Sequence, residues 1–421
     1  MYTQAITITT EFADRAYLPP YCGLAVIPSA SHAWTRSAPC FQSTTTDDRI
    51  CVFLDAGFAG GRGTSFVMTA KRAAYLATHP AFTDPDSVKD TNQDLVRTIP
   101  AKYDIKEFPG KGMGLVANDH IRRGDLIMAN TASLMIDYRA FNELPREQYM
   151  QLQAYAVDFL PAPHRAALLN LSIHDGTNLS HIAMIDKITT TNAFDIDPDE
   201  GDDDQDNRFF VVFPEIARMN HDCRPNADYY FDHATLTQYI HAIRPISPGE
   251  EITLSYIDPA MKRSVRQKRL RTWGFQCVCH HCTQERARVE ASDARIKQIN
   301  DIKPDFRNWE PDSRASPQMA ELLISLSEQE QLWGMMYEAY ALAALEYNGV
   351  GDPWTAIKYA RLAVEWGIWS VGEKQDDVVE MARLAEDPLA HWSWMMRSKR
   401  SHGWEKKAEV RDDDDDDDDD E

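Results

Sequence analysis

The 421-residue chain has no run of eighteen consecutive apolar residues, which excludes a membrane-spanning helix of the usual kind. Its opening stretch, MYTQAITITTEFADRAYLPPY, carries Asp14 and Arg15 and no long apolar segment, so a plain secretory signal is not expected. Seven cysteines are too few at this length for a disulfide scaffold, and the early trio Cys22, Cys40 and Cys51 is consistent with one disulfide or none. Basic residues are scarce beside acidic ones, 44 Lys and Arg against 66 Asp and Glu, which argues against a broad nucleic-acid-binding face. The GxxxxGK[ST] pattern is missing too, so the glycine-dense FAGGRGTS at 58–65 reads as a turn rather than a phosphate loop. What is present, 43% apolar residues over a length that suits two to four domains, fits a folded globular chain.

The net charge of −22 is concentrated. Residues 195–206 and 412–421 hold eighteen acidic side chains between them, and the remainder of the chain is close to neutral at −4. Such runs read as solvated and disordered, and they permit basic partners such as Lys/Arg-rich tails. Residues 1–95 read as an irregular extension with a strand at 50–55 and a helix near 70–77. Residues 96–138 alternate short apolar runs with turns, and GMGLVANDHIRRGDLIMA reads as strand, turn, strand. At 139–190 Leu144, Tyr149, Leu152, Tyr155 and Phe159 recur at mostly helical spacing, with Pro161 and Pro163 as breakers, which indicates a helical insert. Strands return at RFFVVF, ADYYF and LTQYIHAI, and Ser247-Pro248-Gly249-Glu250 has the residues of a type II turn feeding EITLSY. MKRSVRQKRLRT, 261–272, reads as a basic helix with a solvated face. Residues 285–400 read as all helix, with Asp352-Pro353 as N-cap and first-turn residue. One or two tetratricopeptide-like pairs are visible where a free-standing array needs about three, so this region is expected to pack as a lobe on the rest.

The strongest chemical signal is Cys277-Val-Cys279-His-His-Cys282. Three thiolates this close repel one another unless a cation holds them, and a structural zinc takes four ligands in tetrahedral geometry. Cys223 is the expected fourth. His280 and His281 are poorer candidates because they adjoin ligands in the chain, and the competing reading is a set of buried free thiols. A site with four cysteine ligands has no open position and is structural. Three weaker signals accompany it: ArgMetAsnHisAspCysArgProAsn at 218–226, GEEITLSYID at 249–258 and GlyLysGlyMetGlyLeu at 110–115. Alone, these read as a buried polar pair, a core strand and a glycine turn.

Together and in this order, they resemble a SET-domain protein lysine methyltransferase. Gly112-Met113-Gly114 is similar to the opening GxG turn, AsnHisAspCysArgProAsn to the NHSCxPN segment, GlyGluGluIleThrLeuSerTyr to the GEEI…Y segment, and the Phe275–Cys282 run to the cysteine-rich post-SET tail. The insert and helical lobe resemble the SET-and-MYND branch. The MYND finger is absent, since 139–190 contains no cysteine, and the likeness is closer to fungal-type SET proteins without that finger. The resemblance covers about 105–284 well and the C-terminal lobe loosely.

The resemblance implies an α+β fold: a β-clip-like SET-domain β-sheet core at 96–260 with a helical insert at about 139–190 and an acidic loop at 195–206. A zinc-bound post-SET segment at 261–284, an all-helical TPR-like lobe at 285–400 and an acidic disordered tail at 401–421 would follow. It implies transfer of a methyl group from S-adenosyl-L-methionine to a lysine of a histone or other basic protein. Tyr256 would line a narrow channel as the catalytic residue. Lys111, Gly112, Met113, Gly114, Asn192, Asn220, His221, Tyr256 and Phe275 would contact the cofactor, and Cys223, Cys277, Cys279 and Cys282 would hold zinc. Asp222 stands where the family commonly has serine, and Trp273 where the branch often has a second channel tyrosine. A zinc-stapled SET scaffold that only binds partners is the alternative. A monomer acting on a lysine-containing protein such as a histone tail is expected, with no direct nucleic-acid contact and no membrane contact. Thiol-ligated zinc suits a reducing interior, hence nucleus or cytoplasm.

Overall fold

The computed structural model describes residues 33–84, 87–88, 101–173, 178–196, 208–310 and 312–398. Most of the acidic loop and the whole acidic tail lie outside the described residues, as does Cys22. The described strands are β1 (Arg36–Gln42), β2 (Arg49–Asp55), β3 (Thr64–Thr69), β4 (Tyr103–Phe108), β5 (Gly112–Ala117), β6 (Leu126–Thr131), β7 (Leu134–Asp137), β8 (Phe194–Ile196), β9 (Phe209–Val212), β10 (Asn220–His221), β11 (Ala227–Asp232), β12 (Thr237–Ala242) and β13 (Glu251–Leu254). They form a six-stranded sheet ordered β1-β2-β3-β7-β9-β8, a four-stranded sheet β10-β13-β5-β4, and a three-stranded sheet β11-β12-β6. With the helices around them, these small sheets make up an α+β fold.

The apolar run ICVFL of β2 is explained by burial of both faces of its sheet. Side chains alternate along a strand. Cys51 and Phe53 therefore enter a core shared with Phe66, Met68, Phe209 and Phe213, between the sheets. Ile50, Val52 and Leu54 enter a second core with Val67, Ile136, Leu152, Val157, Ile185 and Ile188, under the insert helices Arg146–Asp158 and His181–Asn192. The division of the chain at 95/96 expected from the sequence thus runs through one sheet. β1–β3 are not a separate extension, because β3 pairs in parallel with β7, Phe66 opposite Met135. Cys40 and Cys51 are opposed across β1 and β2 and form a disulfide. β5 and β6, which read as consecutive strands around the Arg123-Gly124-Asp125 turn, do not pair. β5 pairs with β4 and β13, and β6 with β12.

The C-terminal helices share a third core built on small residues: Ala343, Ala344, Ala360 and Ala363 are fully buried between helices Met336–Gly349 and Pro353–Ser370. Asp352 caps the second of these by accepting from the Thr355 amide at 3.1 Å. Ile243 and Ala260, from the sheet side, enter the same core and seat the lobe on the domain. Gly124, at φ +85°, lies against the Trp369 ring where a Cβ would come within 2.6 Å, and Arg123 reaches the faces of Trp366 and Trp369. The insert helices and the lobe therefore cover different sheets.

Candidate functional site

The segment from Asn220 to Asn226 crosses β13 and is bound to it at several points. β10 runs parallel to β13, with Asn220 opposite Thr253 and His221 opposite Leu254. The Asn226 side chain donates to the Glu251 carbonyl at 2.8 Å and accepts from the Thr253 amide at 2.9 Å. The turn that launches β13 is of type II: Gly249 has φ +87° and the Glu250 amide donates to the Ser247 carbonyl at 3.0 Å. Alternation along β13 sends Ile252 and Leu254 into the core and leaves Glu251 on the other side. There one carboxylate oxygen accepts from the Asn220 side-chain amide at 2.9 Å, and the other pairs with Lys111 at 2.5 Å.

Glu251 therefore joins the glycine turn to β10. Gly112 has φ +79°, and a Cβ on Gly114 would lie 2.5 Å from the Asn220 side-chain nitrogen and 2.8 Å from the Phe108 ring. Met113 is exposed beside them. Asn192 ends the helix His181–Asn192 and donates to the Ser172 carbonyl at 2.9 Å. The hydroxyl of Ser172 would be 3.6 Å from a Cβ on Gly112, so Asn192 reaches the glycine turn only through Ser172.

The His221 ring is buried, and burial pulls its pKa down to about 4. Its Nδ1 accepts from the Tyr256 amide at 3.0 Å, so Nε2 carries the proton and faces Cys223 Sγ at 3.4 Å. The ring is thus engaged within the protein. Tyr256 follows β13, and its hydroxyl donates to the Met219 carbonyl at 2.7 Å. Burial holds that hydroxyl well above the usual phenol range, so it stays protonated at neutral pH. Around Tyr256 stand His221, Trp273 and Phe275, with ring centroids 5.4, 5.7 and 6.4 Å away.

The sulfurs of Cys223, Cys277, Cys279 and Cys282 all lie within 4.8 Å of one another. Cys223 Sγ is 3.9 Å from Cys277 Sγ and 3.6 Å from Cys282 Sγ. A tetrahedron with metal–sulfur bonds of about 2.3 Å has edges of about 3.8 Å, so this donor set fits a zinc ion. Mutual hydrogen bonding, with the Cys277 partner foremost, pushes the Cys223 thiol up. Contacts from Cys223 and then Cys277 bring Cys279 down to about 5. Protons alone cannot let four clustered thiols ionise together. The two histidines in the run are outside the group: His280 is exposed and His281 faces Gln331 at 3.3 Å.

The basic helix Arg263–Leu270 is not wholly solvated. Its Arg266 is 1% exposed beside the cluster, and the Cys223 and Cys282 sulfurs more than offset the burial that works against its charge. Arg266, Glu251 and Met219 are site residues that sequence reading missed. The signal for Arg266 would have been its position on the helix face shared with Leu270.

Tyr256 and Trp273 also line a cavity of about 720 Å³ between the sheets and the helical lobe. Tyr229 and Asp228 of β11 form its back, and Trp333 and Gly334, in a short turn of the lobe, form its far wall. Tyr256 thus stands between the open cavity and the group made by the glycine turn, Asn220, His221 and Phe275.

Residues 112–257 match the family described as the SET domain. A 199-residue stretch, 47% of this chain, is 30% identical to the histone-lysine N-methyltransferase set5 of Schizosaccharomyces pombe and covers 56% of that protein. A 95-residue stretch, 22% of this chain, is 38% identical to the N-lysine methyltransferase SMYD2 of Bos taurus and covers 20% of it. The chain thus spans about half the length of the first relative and a fifth of the second. Among solved structures, the Neurospora SET domain protein DIM-5, a histone lysine methyltransferase, aligns over 39% of this chain and 55% of its own, at 18% identity and a TM-score of 0.24.

Proposed function

We propose that this chain, which carries a SET domain, is a protein lysine methyltransferase using S-adenosyl-L-methionine, with a lysine of a histone or other basic protein as acceptor. The observation that carries this reading is the position of Tyr256. It lines the cavity, while its amide donates to His221 and its hydroxyl to the Met219 carbonyl, which ties it to the segment bearing Asn220. Lys111, Gly112, Met113, Gly114, Asn192, Asn220, His221 and Phe275 would hold the methyl donor, Asn192 by way of Ser172 and His221 by its backbone. The space at Gly114, the exposed Lys111 side chain and the half-buried Phe275 ring fit a charged amino acid joined to a flat base. S-Adenosylmethionine supplies an already activated methyl group, so the protein's task is positioning.

The relatives named above are lysine methyltransferases, and the acceptor here is read in the same way. A lysine ammonium has an ordinary pKa of about 10.4 and must lose its proton before the nitrogen attacks. Loss of water around the nitrogen where it meets Tyr256 would disfavour the charged form, and the open cavity would let the proton pass to water. Tyr256 stays protonated, so it orients the reacting groups rather than acting as base. Cys223, Cys277, Cys279 and Cys282 would hold a structural zinc that fixes the segment bearing Asn220 and His221 against the Phe275 loop. The thiol cluster favours a reducing compartment, nucleus or cytoplasm, in which the Cys40–Cys51 pair would stand as thiols rather than as the disulfide.

The test is calorimetric titration with S-adenosylmethionine together with transfer of labelled methyl to core histones and lysine peptides. Wild type should bind the donor and label the acceptor. Tyr256→Phe should still bind the donor and lose about a hundredfold in kcat. Donor binding with no labelling of any basic protein would point to the scaffold reading, and no donor binding by a folded, zinc-loaded protein would overturn the proposal.

A further inference from the structure

The cavity in front of Tyr256 is much larger than one lysyl side chain, and its back wall carries a carboxylate that nothing in the proposed reaction uses. Asp228 opens β11, where the Tyr229 amide donates to its Oδ1 at 2.9 Å. No Lys, Arg or His side chain pairs with it among the described residues. Its other oxygen points at the lobe. A Cβ placed on Gly334 would lie 2.5 Å from Asp228 Oδ2, so the glycine of the Trp333-Gly334-Met335 turn makes the room that this oxygen occupies. Tyr229, Trp273 and Trp333 line the same cavity. Its other charged residues, Asp258 and Arg269, are both exposed.

A half-buried carboxylate without a cation, among aromatic rings, is costly unless something charged arrives to meet it. Burial already pushes Asp228 up to about 6. A guanidinium or ammonium would recover that cost by a charge-assisted hydrogen bond and by contact with ring faces. The reacting lysine is a poor occupant. It must be neutral when its nitrogen attacks, and a neighbouring carboxylate would hold it as the ammonium.

We propose that Asp228, with Gly334 and the Trp333 ring, forms a specificity subsite for a second basic side chain of the substrate, an arginine or lysine near the methylated lysine. This rests on the reading of the cavity as the acceptor groove. It makes the protein selective for paired basic residues rather than for isolated lysines.

The experiment uses the full chain and a set of fluorescent alanine-based peptides with a central lysine. Arginine is placed in turn at each of three positions on either side, and a matched set carries citrulline, which keeps the shape and removes the charge. Binding is read by anisotropy and methyl transfer on the same samples. At one position, wild type should bind the arginine peptide about tenfold tighter than its citrulline partner, and Asp228→Asn should reduce that ratio to below twofold. Equal binding of arginine and citrulline peptides by wild type at every position overturns the inference, and so does a preference that survives in Asp228→Asn. A charge preference that depends on Asp228 without any methyl transfer would sustain this subsite while the proposed catalysis failed.

Discussion

Gly114 has no room for a side chain, because Asn220 and Phe108 already occupy the place a Cβ would take. Gly114→Ala must displace one of them, and overpacking of this kind costs about 1–3 kcal/mol. The expected outcome is a loss of S-adenosylmethionine affinity of about tenfold or more with little change in far-UV circular dichroism, read by calorimetry. Unchanged affinity would remove the glycine turn from the cofactor site. At this scale the sequence was informative where a motif carries its own spacing. Cys277, Cys279 and Cys282 are neighbours in the chain, and repulsion between thiolates makes their purpose readable. Glu251 was not readable, since its meaning lies in the Asn220 and Lys111 side chains that meet it from β10 and from the turn before β5. Asp228 was hidden for a related reason: only the approach of Gly334, over a hundred residues later, shows that its carboxylate has been given space.

Single elements bear on stability in two testable ways. The helix Arg263–Leu270 places Arg266 against the thiol cluster, where a bound Zn²⁺ with four thiolates would carry net negative charge. Arg266→Met should speed zinc transfer to a chromogenic chelator by about tenfold, in line with the usual weight of partners behind metal ligands. Stripping the metal should lower the melting temperature. Equal release rates would reduce Arg266 to a packing residue. On β12, His241 is buried and stacks parallel to Tyr230 at 5.8 Å. Burial holds it down to about 4, below the ordinary value of about 6.5. The unfolded chain therefore binds the extra proton first. The stability contributed by the neutral ring is complete above about pH 6.5 and is lost as the pH falls toward 4. Between pH 7 and pH 4.5 wild type should lose about 2.5 kcal/mol more than His241→Phe, which keeps the stack and cannot titrate. Urea unfolding at the two pH values checks this. The strands themselves were mostly legible from their β-branched and aromatic residues. Their partners were not: β5 and β6 read as neighbours and belong to different sheets.

For the whole molecule, the joint between the sheets and the helical lobe runs through a buried ionic cluster. Glu330 accepts from Arg224 at 2.9 Å, from Arg295 at 2.6 Å and from Ser292 at 2.6 Å, and it is fully buried. Arg224 is the residue after Cys223, so the lobe is tied directly to the segment that carries Asn220 and His221. Glu330→Leu leaves the buried Arg224 charge without its counter-ion, held only by the backbone carbonyls of Glu330, Cys223 and Pro259, and should cost about 3–5 kcal/mol in urea unfolding. A change below about 1 kcal/mol would show that the lobe is held by its apolar contacts alone. The lobe's helical character was legible in the sequence from its tetratricopeptide-like pairs and the Asp352-Pro353 start. Its attachment was not, because a lone Arg224 and a distant Glu330 look like surface charges until the fold brings them together.

The parallel pairing of β3 with β7 also matters for how the chain is made. During synthesis β1, β2 and β3 leave the ribosome first and can zip locally into an antiparallel meander. The open edge of β3 must then wait for Leu134–Asp137, and the sheet is complete only after Phe209–Val212 has emerged. A nascent chain halted near residue 120 would present Phe66 and Val67 on an unpaired edge. Expression of the family-matched stretch 112–257 by itself would meet the same problem from the other side, with β7 lacking its neighbour.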